Sequence, residues 1–315
     1  MALDLAGGDL VAMTDLTPET LRQILDTADV LKAERQRGQP HPLLVGRSLA
    51  MIFQKPSTRT RVSFETGMAQ LGGQAITLNE RDIGIGTRES VEDIALVLSR
   101  YCDLITARVR DHETVTELAR HATVPVINAL SDVEHPLQTL ADLQTIREKK
   151  GRLREVRVTW VGDGNNVCHS LMYGCAMSGA RMTVVTPPGY EPDQTIRSEV
   201  EQIAWEHGGS LSVTDDVTEG VRDAEVVYTD VWASMGQEEE AQERRERFRG
   251  YQVDERMMGL TDPRSIVMHC LPAHYGEEIA YETSRRPGSA IFDQAENRLH
   301  TQKAVLVLLA GRHRR

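Results

Sequence analysis

Aromatic residues are scarce in this sequence: Phe, Trp and Tyr make up 4% of its 315 residues. Aromatic side chains are the usual stacking platform for single-stranded bases, so a base-stacking surface is disfavoured. Positive charge is also in short supply, because 36 Lys and Arg residues stand against 47 Asp and Glu residues, for a net charge of -11. Such a surface repels nucleic acid and anionic membranes, so we expect neither as a partner. Any anion site must then come from arginines clustered locally.

Cysteines and long apolar runs are few as well. The four cysteines are scattered and include no CxxC pair, which predicts neither a structural zinc site nor a disulfide framework and fits a reducing cytoplasm. No apolar run reaches the roughly 18 residues of a membrane span. The first residues lack the basic flank and apolar stretch of a signal peptide. We therefore expect a cytoplasmic protein that needs no metal and no other cofactor.

The sequence does contain a repeated alternation of strands and helices. Its length is about twice that of a usual domain, which favours two domains. Apolar strands alternating with amphipathic helices predict two doubly wound parallel sheets, an α/β fold in which helices cover both faces. The predicted strands are 48–53, 74–78, 103–107, 125–129, 156–162, 181–186, 211–214, 225–228, 265–271 and 289–293. The main predicted helices are 17–38, 58–71, 90–101, 113–120, 135–150, 167–177, 193–206 and 296–309.

The segment STRTR follows the first predicted strand and opens a helix. A helix start presents unpaired N–H groups and partial positive charge, so it is a ready anion site. Ser57, Thr58 and Thr60 add hydroxyl donors, and the planar guanidinium of Arg59 matches phosphate oxygens. The alternative is an ordinary Ser or Thr N-cap beside solvated arginines. Two arginines, Arg59 and Arg61, directly after a buried strand favour a phosphate site.

Two further segments lie at the same predicted edge, where ligands bind in parallel sheets. His135 and Gln138 are three residues apart across a helix start, so both side chains can face one pocket. Arg108 comes directly at the end of the third predicted strand, after residue 107. Taken alone, each is better explained as a helix start or a surface residue. Their shared edge with STRTR favours one common pocket.

The second half of the chain carries its own candidates. The turn VGDGNN is rich in glycine but lacks the G-x-G-x-x-G spacing of a dinucleotide site, and its Asn166 could bind a carboxylate or an amine. Asp230 follows an apolar strand and either holds an ammonium group or caps a helix. Cys270 is either a core residue or faces a pocket at the end of its strand. Leu271 offers a carbonyl before Pro272, and Arg298 opens the last helix, either as a pocket residue or as a helix-face arginine.

Together, STRTR, HPLQ, DVWASMG and HCLPAH resemble the ornithine carbamoyltransferase family in order and spacing, over roughly residues 15–312. The resemblance implies transfer of the carbamoyl group of carbamoyl phosphate to the δ-amine of L-ornithine, and a homotrimer or a multiple of trimers. It implies a carbamoyl phosphate-binding domain of residues 1–150, with a C-terminal helix of about residues 296–315 packing back on it. An ornithine-binding domain of residues 151–295 would be joined to it by helices.

The resemblance also implies a role for each matching residue. The phosphate ligands would be Ser57, Thr58, Arg59, Thr60 and Arg108. The carbamoyl group would be oriented by Arg59, His135, Gln138, Cys270, the Leu271 carbonyl and Arg298. The ornithine ligands would be Asn166, Asp230, Ser234 and Met235. The catalytic residues among them would be Arg59, Arg108, His135 and Cys270.

One loop departs from the family pattern. Members commonly carry Gln in the loop before the helix at Ser90, where it reaches a neighbouring subunit's site, but Gly84 occupies that position here. Arg88 and Thr87 are the candidates to replace it. Three other functions remain: a carbamoyltransferase for putrescine, acylated ornithine or aspartate; a non-catalytic binding module; and a dehydrogenase, which the missing glycine fingerprint disfavours.

Overall fold

The computed structural model describes residues 5–233 and 240–311. Two compact units are present, one of Met1–Gln144 with Glu296–Arg315 and one of Thr145–Ala295. Each unit contains a parallel sheet with helices, so the predicted fold class is confirmed. In the part of the chain that is described, no helix combines the length and the apolarity that crossing a membrane requires.

The first unit is built on a four-stranded sheet with the strand order β2-β1-β3-β4, all parallel. Its strands are β1 (Ser48–Phe53), β2 (Gln74–Asn79), β3 (Leu104–Arg108) and β4 (Val126–Leu130). Its helices are a 3-10 turn (Met13–Asp15), α1 (Pro18–Gln36), α2 (Thr58–Gln70), α3 (Glu80–Ile83), α4 (Val91–Tyr101) and α5 (His112–His121). The chain leaves this unit through α6 (Pro136–Lys150).

The second unit holds a five-stranded parallel sheet with the order β7-β6-β5-β8-β9. Its strands are β5 (Arg157–Val161), β6 (Arg181–Val185), β7 (Ser210–Thr214), β8 (Val226–Thr229) and β9 (Ile266–His269). Its helices are α7 (Asn166–Met177), α8 (Gln194–His207), α9 (Val217–Gly220), α10 (Ala241–Arg247), α11 (Glu255–Met258) and α12 (Tyr281–Arg285). The chain returns to the first unit through α13 (Ile291–Leu309).

Burial explains why the strands could be recognised. In the central strand β1, Leu49 to Phe53 are all buried, which is why it reads as a continuous apolar run. The edge strand β2 alternates between more and less exposed residues. Ser90 is the N-cap of α4, and its hydroxyl accepts a 3.0 Å hydrogen bond from the backbone N–H of Asp93. The helix start predicted at Ser90 is therefore confirmed.

The strand predicted at residues 289–293 is wrong. Ser289 forms one isolated bridge with Val267, and the chain then enters α13 at Ile291. The carbonyl of Ala290 accepts a 2.8 Å hydrogen bond from the N–H of Gln294, which is a helical contact. A short apolar run cannot be assigned to a strand or to a buried helix by its periodicity alone. The last helix therefore begins earlier than the predicted residue 296.

Candidate active site

The STRTR segment forms the turn between β1 and α2. Ser57 is the N-cap of α2, and its hydroxyl accepts a 3.3 Å hydrogen bond from the N–H of Thr60 and donates one of 3.1 Å to Oγ1 of Thr60. Thr58 is exposed and Arg59 is half-buried, whereas Thr60 is buried. The segment thus presents a helix start, hydroxyl groups and a guanidinium group at the carboxyl edge of the first sheet. These are the components of an anion site.

Side chains from three separate helices meet behind this turn. The guanidinium of Arg298 on α13 donates a 2.7 Å hydrogen bond to Oε1 of Gln138 on α6 and a 3.2 Å hydrogen bond to Oγ1 of Thr60 on α2. Nε2 of Gln138 donates in turn to Oδ1 of Asp142, at 2.8 Å. All four side chains are buried. The fold therefore brings together Thr60, Gln138 and Arg298, which the sequence placed in one pocket.

The electrostatics of this cluster favour an anion. Burial lowers the pKa of His135 well below its ordinary value, and the positive charges of Arg298, Arg108 and Arg59 lower it further. His135 is consequently a neutral imidazole in the neutral pH range, and a neutral imidazole donates from one ring nitrogen only. Arg108 and Arg298 are both buried. A bound phosphate would interact favourably with this buried positive charge.

In the second unit, Asp230 lies at the centre of a group of hydrogen bonds. The thiol of Cys270 donates to Oδ1 of Asp230 at 2.9 Å, and Nδ2 of Asn165 donates to Oδ2 of the same carboxylate at 3.0 Å. Asp230 is buried and Cys270 is half-buried. Asp230 and Cys270, which the sequence presents 40 residues apart, are therefore direct hydrogen-bond partners. The carboxylate keeps a fixed orientation at the carboxyl ends of β8 and β9.

Sequence analysis selected Asn166 in the VGDGNN turn and missed Asn165. Asn165 is the N-cap of α7, and its Oδ1 accepts hydrogen bonds from the N–H groups of Val167 and Cys168, at 3.0 and 3.1 Å. Oδ1 of Asn166 accepts from Val167 at 3.0 Å. The available signal was weak, because two adjacent Asn residues at a helix start are equivalent until the cap is seen.

Asp163 and Arg244 are a second pair that sequence analysis missed. The guanidinium of Arg244 donates to Oδ2 of Asp163 and to the carbonyl of Trp232, both at 3.0 Å. Its carbon Cζ lies 4.9 Å from the ring centroid of Tyr190. Burial raises the pKa of Asp163 to about 6, against the opposing effect of Arg244. This arginine connects the VGDGNN turn to the segment that follows Asp230.

The HCLP segment has a constrained backbone after β9. Nδ1 of His269 accepts a 2.8 Å hydrogen bond from the N–H of Leu271, so Nε2 carries the proton and donates to Oε1 of Glu278 at 2.9 Å. Leu271 has φ of 60° and precedes a cis peptide bond to Pro272. The strand predicted to reach residue 271 therefore ends at His269, because a left-handed residue cannot continue it. Ser234 and Met235 lie outside the described residues.

The loop at Gly84 adopts a conformation that favours glycine. Gly84 ends α3 with φ of 60°, and a Cβ built there would lie 2.8 Å from Cβ of Arg88. A glutamine at this position would therefore meet both backbone strain and a clash. The guanidinium of Arg88 donates a 2.8 Å hydrogen bond to the carbonyl of Asp82 and remains exposed. The departure from the family pattern is built into the conformation of this loop.

Comparison with known proteins agrees with this arrangement. The carbamoyl-P binding domain of aspartate/ornithine carbamoyltransferases matches residues 8–148, and their Asp/Orn binding domain matches residues 154–309. The chain belongs to the aspartate/ornithine carbamoyltransferase family. The family resemblance inferred from the four motifs is thereby confirmed.

Individual members of this family are similar over almost the whole chain. The ornithine carbamoyltransferase of Pyrococcus abyssi is 54% identical over 311 residues, which cover 99% of this chain and 98% of that protein. The anabolic ornithine carbamoyltransferase of Pyrococcus furiosus is 54% identical, with 99% of each chain covered. A solved structure of ornithine carbamoyltransferase from Pyrococcus furiosus superposes with a TM-score of 0.96 and covers 98% of both chains.

Proposed function

We propose that the protein transfers the carbamoyl group of carbamoyl phosphate to the δ-amine of L-ornithine, giving L-citrulline and phosphate in arginine biosynthesis. The observation that carries this proposal is the concentration of Arg59, Arg108 and Arg298 around a neutral His135. Relatives at 54% identity that are named ornithine carbamoyltransferase support ornithine as the acceptor. The Pyrococcus furiosus relative is named anabolic, which supports the biosynthetic direction.

The first unit would bind and polarise carbamoyl phosphate. Ser57, Thr58, Thr60 and the start of α2 would donate hydrogen bonds to the phosphate, and Arg59 and Arg108 would balance its charge. Neutral His135 would donate a hydrogen bond to the carbonyl oxygen of the carbamoyl group. Preorganised donors of this kind stabilise the negative charge that develops on that oxygen and on the leaving phosphate. Arg298 would hold Gln138 in place beside the carbamoyl amide.

The second unit would bind ornithine. Asp230 offers a buried carboxylate for an ammonium group, oriented by the thiol of Cys270 and the amide of Asn165. Asn166 would supply a further polar contact to ornithine, and the carbonyl of Leu271 keeps the role that the resemblance implies, which is to orient the carbamoyl group. Ser234 and Met235 complete the proposed ornithine ligands by resemblance alone.

The chemistry requires no group beyond these residues and the two substrates. The lone pair of the δ-nitrogen attacks the carbamoyl carbon, the bond from that carbon to the phosphate oxygen breaks, and phosphate departs with the bonding electrons. The nitrogen passes one proton to the departing phosphate, which leaves the new ureido group neutral. Because only the deprotonated amine can attack, turnover should rise with pH from the neutral into the alkaline range.

The second candidate function is that of a carbamoyltransferase with a different acceptor: putrescine, acylated ornithine or aspartate. Aspartate is the least suited, because its second carboxylate would meet the buried negative charge of Asp230. Putrescine has no α-carboxylate and would leave part of the proposed ligand set unused.

The assay that tests the proposal uses the purified protein with carbamoyl phosphate and each amine in turn. Ureido product and released phosphate are both measured. The expected result is stoichiometric citrulline and phosphate from ornithine, with much slower turnover of the other amines. Preference for another amine would refute ornithine as the acceptor, and phosphate release without ureido product would refute transfer. A homotrimer or a multiple of trimers remains a prediction from the resemblance, and light scattering after size exclusion tests it. A cytoplasmic location remains a prediction from the cysteine pattern and the N-terminal sequence.

A further inference from the structure

We infer that Arg110 is a positioning residue for carbamoyl phosphate. It holds Arg108 and the loop of residues 79–89 in register at the carboxyl edge of the first sheet, without touching the substrate itself. This inference rests on the proposed function. Arg110 belongs to none of the four motifs.

Three strand ends of the first sheet lie at one level. Phe53, the last residue of β1, is paired with Asn79 at the end of β2 and with Arg108 at the end of β3. The phosphate motif follows β1 and the 79–89 loop follows β2. The position of that loop is therefore set where β2 leaves the sheet, level with Arg108 but separated from it by the end of β1.

Arg110 connects all four strand ends. It lies two residues after the end of β3, and its backbone N–H donates a 2.9 Å hydrogen bond to Oε1 of Gln54, the residue after β1. Its carbonyl accepts a 3.1 Å hydrogen bond from the N–H of Asp132, which lies just after β4. Its guanidinium binds both carboxylate oxygens of Glu80, the residue after β2, at 2.5 and 2.7 Å.

The ion pair has the geometry of a positioning contact rather than of a stabilising one. Its side chains are 50% and 40% exposed, and exposed pairs contribute little to folding stability. Two parallel hydrogen bonds nevertheless fix the relative orientation of guanidinium and carboxylate. Hydrogen bonding from Arg110 lowers the pKa of Glu80, which keeps the carboxylate charged throughout the neutral range.

The hydrogen bonds between Gln54 and the segment of Arg108 and Arg110 fix the position of Arg108. The carbonyl of Arg108 accepts a 2.9 Å hydrogen bond from the N–H of Gln54, whose side chain holds Arg110 two residues later. The sheet register shifts between Ala107 and Arg108, so the ladder itself constrains this residue less than its neighbours. The hydrogen bonds of Gln54 to Arg108 and to Arg110 hold the backbone of Arg108 in place where its pairing with β4 is irregular.

The test compares Arg110→Gln and Glu80→Gln with the charge-swapped double variant Arg110→Glu with Glu80→Arg. Binding of carbamoyl phosphate and of inorganic phosphate is measured by calorimetry, and KM and kcat are measured with both substrates. Each single variant should bind carbamoyl phosphate roughly tenfold more weakly, a modest effect for a small misplacement of ligands. KM for ornithine and the melting temperature should stay close to wild type. The double variant should recover most of the affinity.

The matched control is Arg197→Gln, which breaks another surface pair, with Glu201 at 2.9 Å in the second unit. It should leave carbamoyl phosphate affinity unchanged. Wild-type affinity in both single variants, or a double variant as weak as they are, would overturn the inference. A wild-type protein that binds carbamoyl phosphate without making citrulline would refute the proposed reaction, and the binding series would still decide the role of Arg110.

Discussion

Arg59 and Arg61 stand two residues apart in the phosphate motif, yet they have different surroundings. Arg59 is half-buried, and its charge acts on His135. Arg61 is exposed, and its Nε donates to Oε1 of Glu65 at 2.9 Å, one turn along α2. Only the first is placed to act on a substrate, although the sequence presents both in the same motif.

Arg59→Ala should lower kcat/KM for carbamoyl phosphate by roughly 10²- to 10³-fold, the usual effect of removing one preorganised donor. The melting temperature should change little, because the guanidinium is half-buried. Arg61→Ala is the control and should remain within a few-fold of wild type. Equal activity of the two variants would refute the assignment of Arg59. Citrulline formation and thermal unfolding are the measurements.

Cys270→Ala should raise KM for ornithine by about tenfold, which corresponds to about 1.4 kcal/mol. The thiol is a donor to Asp230, so its loss leaves the carboxylate less firmly oriented. Because Cys270 is only half-buried, the protein should still fold. Cys175→Ala is the control: this residue is 1% exposed in the core, so its loss should cost stability and leave KM unchanged. An unfolded Cys270→Ala variant would make Cys270 a packing residue.

At the scale of elements, the turn between β5 and α7 requires a glycine at position 164. A Cβ on Gly164 would lie 2.3 Å from the backbone nitrogen of Pro192. The glycine therefore serves close packing of one turn on another, which agrees with the absence of a dinucleotide fingerprint. The same turn carries Asn165 and hence orients Asp230.

Gly164→Ala should destabilise the protein by about 1–3 kcal/mol, the cost of an overpacked site. It should also raise KM for ornithine, because the turn that carries Asn165 must move away from Pro192. Gly220→Ala is the control, since its Cβ would lie 2.3 Å from Cγ2 of Val185 and it is not in the turn. That control should lose stability with KM retained. Urea unfolding and steady-state kinetics distinguish the two, and an unchanged KM in Gly164→Ala would contradict the prediction.

The long elements and the motif residues could be predicted because their signals are local. Apolar runs and caps lie within a few residues, as for β1 and the Ser90 cap. The short helices α3 and α9 to α12 carry too few residues for a periodic pattern. Arg110, Asn165 and Arg244 could not be found, because their roles depend on distant partners. Arg244 and Asp163, for example, are 81 residues apart in the chain.

At the scale of the whole molecule, several buried histidines resist protonation. Burial is the leading cause of a lowered pKa for His41, His135 and His300, and that of His300 falls to about 3. Below pH 6.5 these histidines become protonated in the unfolded chain but stay neutral in the folded protein. The free energy of unfolding therefore falls as the pH drops below this value. The pKa of Asp163 is raised to about 6, so this group opposes the trend, but burial also lowers the pKa of His112, which makes four histidines against one carboxylate.

Urea unfolding at pH 7.5 and pH 5 should reveal this loss. For His300, the difference between an unfolded pKa of 6.5 and a folded value of about 3 corresponds to about 2 kcal/mol at pH 5. His300→Gln should therefore lose about 2 kcal/mol less than wild type between the two conditions. A variant whose stability falls as steeply as that of wild type would show that His300 is not the group responsible.

The first unit is assembled from two stretches of chain, with the whole of the second unit encoded between them. During translation, the domain that is made first usually folds first. Here the strands and the phosphate turn of the first unit emerge early, but Arg298, the partner of Thr60 and Gln138, is synthesised only after the second unit. A nascent chain that has not yet reached α13 therefore lacks this contact. The polypeptide therefore completes the proposed carbamoyl phosphate site late in synthesis, after the residues proposed to bind the acceptor have been made.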